Sequence, residues 1–257
     1  MTDKKIDFSI KDRIARIVID DVANHNVIGS QFARELSEAA IACEGNKDIR
    51  VVLLTANGDE FSVGGDLNEF LAKRDSLREH VREMATFFHL GITVLNRLST
   101  PVVCGVNGVA AGGGVSLVCM SDMAIAKRSA RFNLAYTRSG LTPDGGSTWF
   151  LPRLVGAQRA FDIMATNPTL SAEQAQEIGL IARVVDDADY ESTLEEVLQT
   201  LANAPSNAVG IGKQLMRQSL SNSLEQQLEL EGRAISESVS APETLAKLEA
   251  FFAKRKS

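Results

Sequence analysis

The chain is poor in the features that mark several protein classes. It has three cysteines, one tryptophan and two tyrosines in 257 residues, and aromatic side chains make up only 5% of it. Cys43, Cys104 and Cys119 are scattered, odd in number and set in apolar stretches. That pattern excludes a disulfide framework and a metal ligand set, and it predicts buried, reduced thiols. No apolar run approaches the ~20 residues that a membrane helix needs. The opening MTDKKIDFSIKDR is polar and holds no apolar leader core. Positive charge is not in excess: 27 Lys and Arg stand against 33 Asp and Glu, a net charge of −6, which argues against a nucleic-acid footprint. The glycine-rich stretches carry neither the Lys-Ser/Thr of a P-loop nor a G-x-G-x-x-G fingerprint. The expectation is a cytoplasmic protein with no membrane, nucleic-acid or metal partner.

What is present is an α/β pattern. Residues 6–10 and 14–19 read as strands around the turn Lys11-Asp12-Arg13. Arg50–Thr55, Pro101–Val106 and Met123–Lys127 are short apolar runs, as expected of strands buried on both faces of a parallel sheet. Helical patterns fall between them at Ser30–Cys43, Asp66–Leu98 and Gly113–Met120, which argues for βαβ crossovers. After about residue 157 the chain reads as mostly helical, with capping-box starts at Ser171-x-x-Gln174 and Ser223-x-x-Gln226. A core over residues 1–200 and a helical region over 201–257 are expected. The helices after Pro205 have apolar stripes but no strand to cover, so they either cap their own core or meet another subunit.

Two segments about 40 residues apart carry the chemistry: Phe61-Ser62-Val63-Gly64-Gly65-Asp66-Leu67 and Asn107–Gly114 with its Gly112-Gly113-Gly114 triplet. Each follows a strand-like run and opens a helical one. Bare main chain at a helix start offers N–H donors with no intrahelical partner. Two such donors converging on one point make an oxyanion hole. Asp66 stands where a helix N-cap belongs, and the glycines also have a purely structural use in turns and close packing.

Together with Asn24-His25-Asn26-Val27-Ile28, Pro143-Asp144-Gly145-Gly146-Ser147-Thr148 and Leu170–Ala175, these segments resemble, in order and spacing, the crotonase superfamily, the enoyl-CoA hydratase/isomerase family. The resemblance runs over nearly the whole chain. It implies a spiral of ββα turns with a C-terminal helical trimerisation region, assembled as homotrimers or hexamers. It implies an acyl-CoA thioester as substrate, with coenzyme A part of the substrate and no other cofactor. The thioester oxygen would lie between the N–H groups of Gly65 and Gly113. Asn26 and Val27 would lie near the adenine, and Phe61, Val63, Gly64, Asp66 and Leu67 along the pantetheine. Tyr136 would face the substrate, and Lys254, in the segment Ala250–Arg255, the nucleotide; Arg13 is a second phosphate candidate.

The resemblance also bears on which reaction is run. The two positions that hold glutamates in family hydratases are Ser116 and Tyr136 here. Neither hydroxyl is a useful base near neutral pH, so hydration is expected to be weak or absent. Asp144 is the remaining acid, and a single carboxylate suits a double-bond shift from Δ3 to Δ2 in an enoyl-CoA or a related ring acyl-CoA. Apolar walls from Phe61, Leu67, Leu141 and Phe150 are expected to raise its pKa. The chief alternative resembles the 4-chlorobenzoyl-CoA dehalogenases, with Asp144 as nucleophile and His89, 24 residues before Gly113, as its partner. His89 is otherwise expected to be an ordinary helix residue beside Phe87 and Phe88, and His25 and His80 loop and surface residues. A non-enzyme alternative is an RNA-binding or scaffold member of the fold, against which the retained Asp144 and the acidic charge argue.

Overall fold

The computed structural model describes residues 4–254. The chain opens with an antiparallel hairpin, β1 (Ile6–Lys11) and β2 (Ile14–Ile19), turned through Asp12 and Arg13 at φ 52° and 65°. A short helical turn leads to α1 (Ser30–Gly45). From there each turn of chain places one strand in each of two sheets. β3 (Val51–Ala56) and β4 (Glu60–Ser62) form the first such pair. The short α2 (Leu67–Ala72) and the long α3 (Leu77–Arg97) follow. The next pair is β5 (Val102–Val106) and β6 (Val109–Ala111), followed by α4 (Gly113–Met120). β7 (Met123–Lys127) and β8 (Arg131–Asn133) come next, then α5 (Ser147–Val155) and α6 (Ala157–Thr166). β9 (Leu170–Ser171), α7 (Ala172–Glu177) and β10 (Arg183–Val185) complete the two sheets. One has the order β1-β2-β3-β5-β7-β10 and the other β4-β6-β8-β9. From β2 to β10 the first sheet is parallel. This is the α/β spiral that the family resemblance implies.

The apolar runs divide by alternation, because successive side chains of a strand point to opposite faces. Val52 and Leu54 of β3 face a core with Phe32, Leu36 and Leu95. Val51 and Leu53 face a second core with Val103, Ile125 and Leu194, the last from α8 (Tyr190–Asn203). The three cysteines are buried and free, and burial pushes the thiols of Cys43 and Cys119 up to about 12.

Two departures from the sequence reading are informative. The expected helix over residues 66–98 is two helices, broken at Lys73-Arg74-Asp75-Ser76, where Asp and Ser compete with the helix for main-chain groups. The second sheet consists of strands of two or three residues, too short to show a period of two. The region after residue 157 is mostly helical, as expected, with the short β9 and β10 pairing with the sheets. Both capping boxes form, at Ser171 and Ser223.

Three helices end the described chain: α9 (Ser206–Gln218), α10 (Leu224–Val239) and α11 (Pro242–Lys254). α9 docks on the core through Lys213, whose ammonium group lies 2.5 Å from Asp122 Oδ2 and donates to Thr100 O at 2.9 Å. α10 packs on α9 and has no buried residue. Leu228, Ile235, Leu248, Phe251 and Phe252 stay exposed on α10 and α11.

Candidate active site

The site forms where the two sheets hand their chains to helices. β4 ends at Ser62, and Gly64 then takes φ +94°. A Cβ at Gly64 would come within 3.0 Å of Ala111 O and 3.4 Å of Gly113 N, so the second glycine loop lies directly against the first. Ile28 N–H donates to Gly64 O at 2.8 Å, and Asp66 N–H to Ile28 O at 3.1 Å. The intervening Gly65 N–H has no acceptor among the described residues. Asp66 is the N-cap of α2, its carboxylate accepting Glu69 N–H at 2.9 Å.

In the second loop Gly112 takes φ +51° and donates its N–H to Asn133 O at 3.0 Å. Gly113 is the first residue of α4, and its N–H likewise has no acceptor among the described residues. It carries the positive end of the helix dipole. Gly114 is small for packing: a Cβ there would meet Ser62 O at 2.7 Å. Both free donors border one cavity of about 660 Å³, a size that holds a drug-sized ligand.

Asp144 enters the same cavity. Gly145 and Gly146 follow it at φ 60° and 75°, so the chain turns before α5 begins and the aspartate lies ahead of the helix. Its main-chain oxygen is held by Ser116 Oγ at 2.8 Å, Ser147 Oγ at 2.9 Å and Ser147 N–H at 3.2 Å. Tyr136 Oη lies 3.0 Å from Ser116 Oγ. Since Ser116 has one hydroxyl proton and donates it to Asp144 O, Tyr136 is the donor to Ser116. These hydroxyls anchor the aspartate's backbone and leave its carboxylate free to face the cavity.

The carboxylate meets His89 of α3: Nε2 is 2.7 Å from Asp144 Oδ1. Burial alone pushes the Asp144 carboxyl up, but the hydrogen bond and charge of His89 and the Gly145 N–H together hold it below its ordinary value. The expected rise is therefore corrected to a fall. His89 in turn is raised, chiefly by its hydrogen bond to Asp144, against burial and the charge of Arg82. His89 is thus no ordinary helix residue. His80 also departs from expectation, because it is largely buried against Glu69 Oε1 at 3.0 Å, whereas His25 is exposed and pairs with Glu60.

Of the residues selected from sequence, Val63, Gly65, Leu67, His89, Gly113, Tyr136 and Asp144 border the cavity. Asn26, Val27, Phe61, Gly64 and Asp66 do not. Asn26 is buried, and its amide donates to Asn57 O and Glu60 O. Phe61 is a core residue, and Phe150 packs over Gly146. Arg13 lies on the β1–β2 turn and bonds Asn203. The Lys254 side chain and Arg255 lie outside the described residues. Sequence reasoning named His89 but missed the rest of the wall supplied by α3: Arg78, Arg82 and Ala85 line the cavity with His89 at spacings of four, three and four. That is one helix face. Phe70, Val81, Met84 and Phe88 add apolar surface beside it.

A family model described as enoyl-CoA hydratase/isomerase matches residues 9–257. The chain is 32% identical over 254 residues to 4-chlorobenzoyl coenzyme A dehalogenase-2 of an Arthrobacter species, covering 98% of this chain and 92% of that protein. It is 37% identical over 207 residues to the 1,2-epoxyphenylacetyl-CoA isomerase of Escherichia coli K12, covering 80% and 79%. Among solved structures, an enoyl-CoA hydratase from Polaromonas sp. JS666 superimposes with a TM-score of 0.91 at 28% identity, over 97% of each chain. The spiral of paired strands, the two facing glycine loops and these matches make the chain a member of the enoyl-CoA hydratase/isomerase family of the crotonase superfamily.

Proposed function

We propose that the protein is an acyl-CoA isomerase that moves a double bond from Δ3 to Δ2, or performs the related shift on a ring acyl-CoA, through an enolate held in the oxyanion hole. The observation that carries this reading is that Asp144 is the one carboxylate among the described residues bordering a cavity that also receives two free main-chain N–H groups. The thioester oxygen lies between Gly65 and Gly113. Asp144 takes a proton from C2 of a 3-enoyl-CoA, and the electron pair moves onto the thioester oxygen. The carboxyl then returns the proton at C4, leaving the double bond between C2 and C3. Each donor in such a hole is worth ~3 kcal/mol in the transition state. Ser116 and Tyr136 are committed to the Asp144 backbone, which supports the expectation of little hydration.

A second reading is favoured by the His89–Asp144 hydrogen bond and by the similarity to the dehalogenase. There the Asp144 carboxylate attacks the halogenated ring carbon and expels halide. Water activated by His89 then attacks the aspartyl ester carbonyl and frees the hydroxylated acyl-CoA. The small Gly65, with only the Phe70 ring near its would-be Cβ at 3.7 Å, leaves the chamber less closely fitted to an aromatic ring and places this reading second.

The exposed apolar residues of α10 and α11 support self-association through the region 201–257 as a homotrimer or hexamer, with the 1–200 core holding the site. Among the described residues no helix is long and apolar enough to cross a membrane, and a cytoplasmic location is part of the proposal.

The test is a panel of 3-hexenoyl-CoA, 2-hexenoyl-CoA and 4-chlorobenzoyl-CoA with wild type and Asp144→Asn. Isomerisation of the first, lost by a factor of about 10² to 10⁴ in the variant, is expected. Robust hydration that survives Asp144→Asn would refute it, and halide release that also needs His89 would promote the second reading.

A further inference from the structure

The cavity holds more positive charge than its own acids balance. Arg78 and Arg82 border it from α3, and among the described residues neither guanidinium is in an ion pair. Asp144, the one lining carboxylate, is already taken by His89. The neighbouring Glu83 pairs away from the cavity with Arg34. Both side chains are exposed at the cavity, with Glu79 beside them on the same helix, so they are solvated in the free protein and available to an anionic group on an incoming ligand.

The place of the arginines along the helix says which part of a ligand that is. His89 touches the acid that faces the reacting carbons. From His89 the same face of α3 runs through Ala85 to Arg82, two turns or ~10 Å away, and then to Arg78, one turn further. Val81 and Met84 of α3 also border the cavity, and the Phe70 ring borders it beside Gly65. The cavity thus presents an oxyanion hole, an acid, an apolar stretch and then guanidinium groups. An extended carbon chain advances ~1.25 Å per bond, given its bond length, so the ~10 Å from His89 to Arg82, shortened by the reach of the flexible arginine side chain, is spanned by an acyl group of ~6 to 8 carbons counted from the thioester carbon.

We propose that Arg78 and Arg82 are specificity-determining residues that select acyl-CoA substrates whose acyl group ends in a carboxylate. This rests on the acyl-CoA reading of the site. Arginine suits the task because its planar fork binds a carboxylate through two parallel hydrogen bonds. The coenzyme's own phosphates are the other source of anionic charge, and the experiment separates the two.

Binding of adipyl-CoA and hexanoyl-CoA, which differ by the terminal carboxylate, is measured by calorimetry on wild type, Arg78→Gln/Arg82→Gln and Arg78→Lys/Arg82→Lys. Wild type is expected to bind adipyl-CoA about tenfold or more tightly than hexanoyl-CoA, as one charge-assisted hydrogen bond provides. The preference should shrink with added salt, vanish in the glutamine variant and survive in part in the lysine variant. Hexanoyl-CoA affinity should fall less than adipyl-CoA affinity in the glutamine variant, because both arginines also border the cavity that receives the part the two ligands share. Equal binding of both ligands by wild type overturns the proposal. So does an equal loss of both in the glutamine variant, which would assign the arginines to the coenzyme phosphates. Failure of wild type to bind either thioester overturns the acyl-CoA reading itself, and this proposal with it. Melting curves confirm that the variants fold.

Discussion

Nε2 of His89 and Oδ1 of Asp144 lie 2.7 Å apart across the cavity, although 55 residues separate them in sequence. The pair sets the pH behaviour of the site. Asp144 titrates below its ordinary value and His89 above its own. Asp144 therefore supplies its share of stability above the ordinary carboxylate range and loses it as pH falls through its lowered value. His89 supplies its share below roughly pH 6.5, the ordinary imidazole value, and loses it as pH rises through the raised value. The ion pair is most complete between those limits. Both side chains are more than a third exposed, so screening keeps its contribution to stability small.

Replacing His89 by Gln should move the acid limb of the rate profile to higher pH, because burial then acts on Asp144 without its main opponent. A profile of kcat/KM against pH for wild type and H89Q reads this directly. An unmoved acid limb would show that the histidine does not govern the carboxylate.

The hydroxyl relay from Tyr136 through Ser116 to the Asp144 carbonyl predicts a positioning effect. Ser116 is fully buried, so Ser116→Ala removes two buried hydrogen bonds and leaves the Tyr136 hydroxyl only its longer contact to Asp144 O at 3.4 Å, which should cost about 1–3 kcal/mol of stability. It should lower kcat more than it raises KM, since the aspartate loses the shortest of its backbone anchors, with Ser147 still holding it, while the N–H donors stay in place. Denaturant melts and steady-state kinetics check both effects; a pure KM change would place Ser116 in binding instead.

Adjacent glycines in the first loop should respond unequally to alanine. Gly64→Ala meets Ala111 O at 3.0 Å and holds a positive φ, a strain of about 1–3 kcal/mol. It pushes the two glycine loops apart. Gly65→Ala meets nothing closer than the Phe70 ring at 3.7 Å and should fold like wild type. Thermal melts should show a clear loss for G64A and almost none for G65A. Similar losses in both would contradict the loop packing described above.

The exposed apolar face of α10 and α11 predicts that light scattering will return three or six times the 27.7 kDa chain mass. Ile235→Asp, at a position 68% exposed in the single chain, should lower that mass while leaving the fold of the core intact by circular dichroism. A monomeric wild type would leave this face without a partner copy.

Much of this architecture is legible in the sequence because it is local. Apolar runs such as Val102–Val106 mark buried strands. Ser171 and Ser223 with their glutamines mark helix starts, and the two glycine segments mark where bare backbone is needed. The apolar runs, caps and glycine segments are properties of composition and near-neighbour spacing, and the chain carries them before it folds. Asp144 stands out only through the family resemblance, which implies acids at the positions that Ser116 and Tyr136 occupy here.

Tertiary structure decided everything that depends on elements meeting. The second sheet exists because strands too short to announce themselves are aligned by their longer partners. The sequence leaves His89 between an ordinary helix residue and, by the dehalogenase resemblance, a partner of Asp144; packing of α3 against the β8–α5 connection brings the two together. The sign of the Asp144 pKa shift follows from that meeting: apolar walls alone predict a rise, and one imidazole at hydrogen-bond distance reverses it. In the same way Asn26 passes from a candidate ligand contact to an internal tether, because its amide is consumed by the carbonyls of Asn57 and Glu60. Residue identity determined which groups can do chemistry; the balance of burial, charge and hydrogen bonding that selects among them came from long-range contacts.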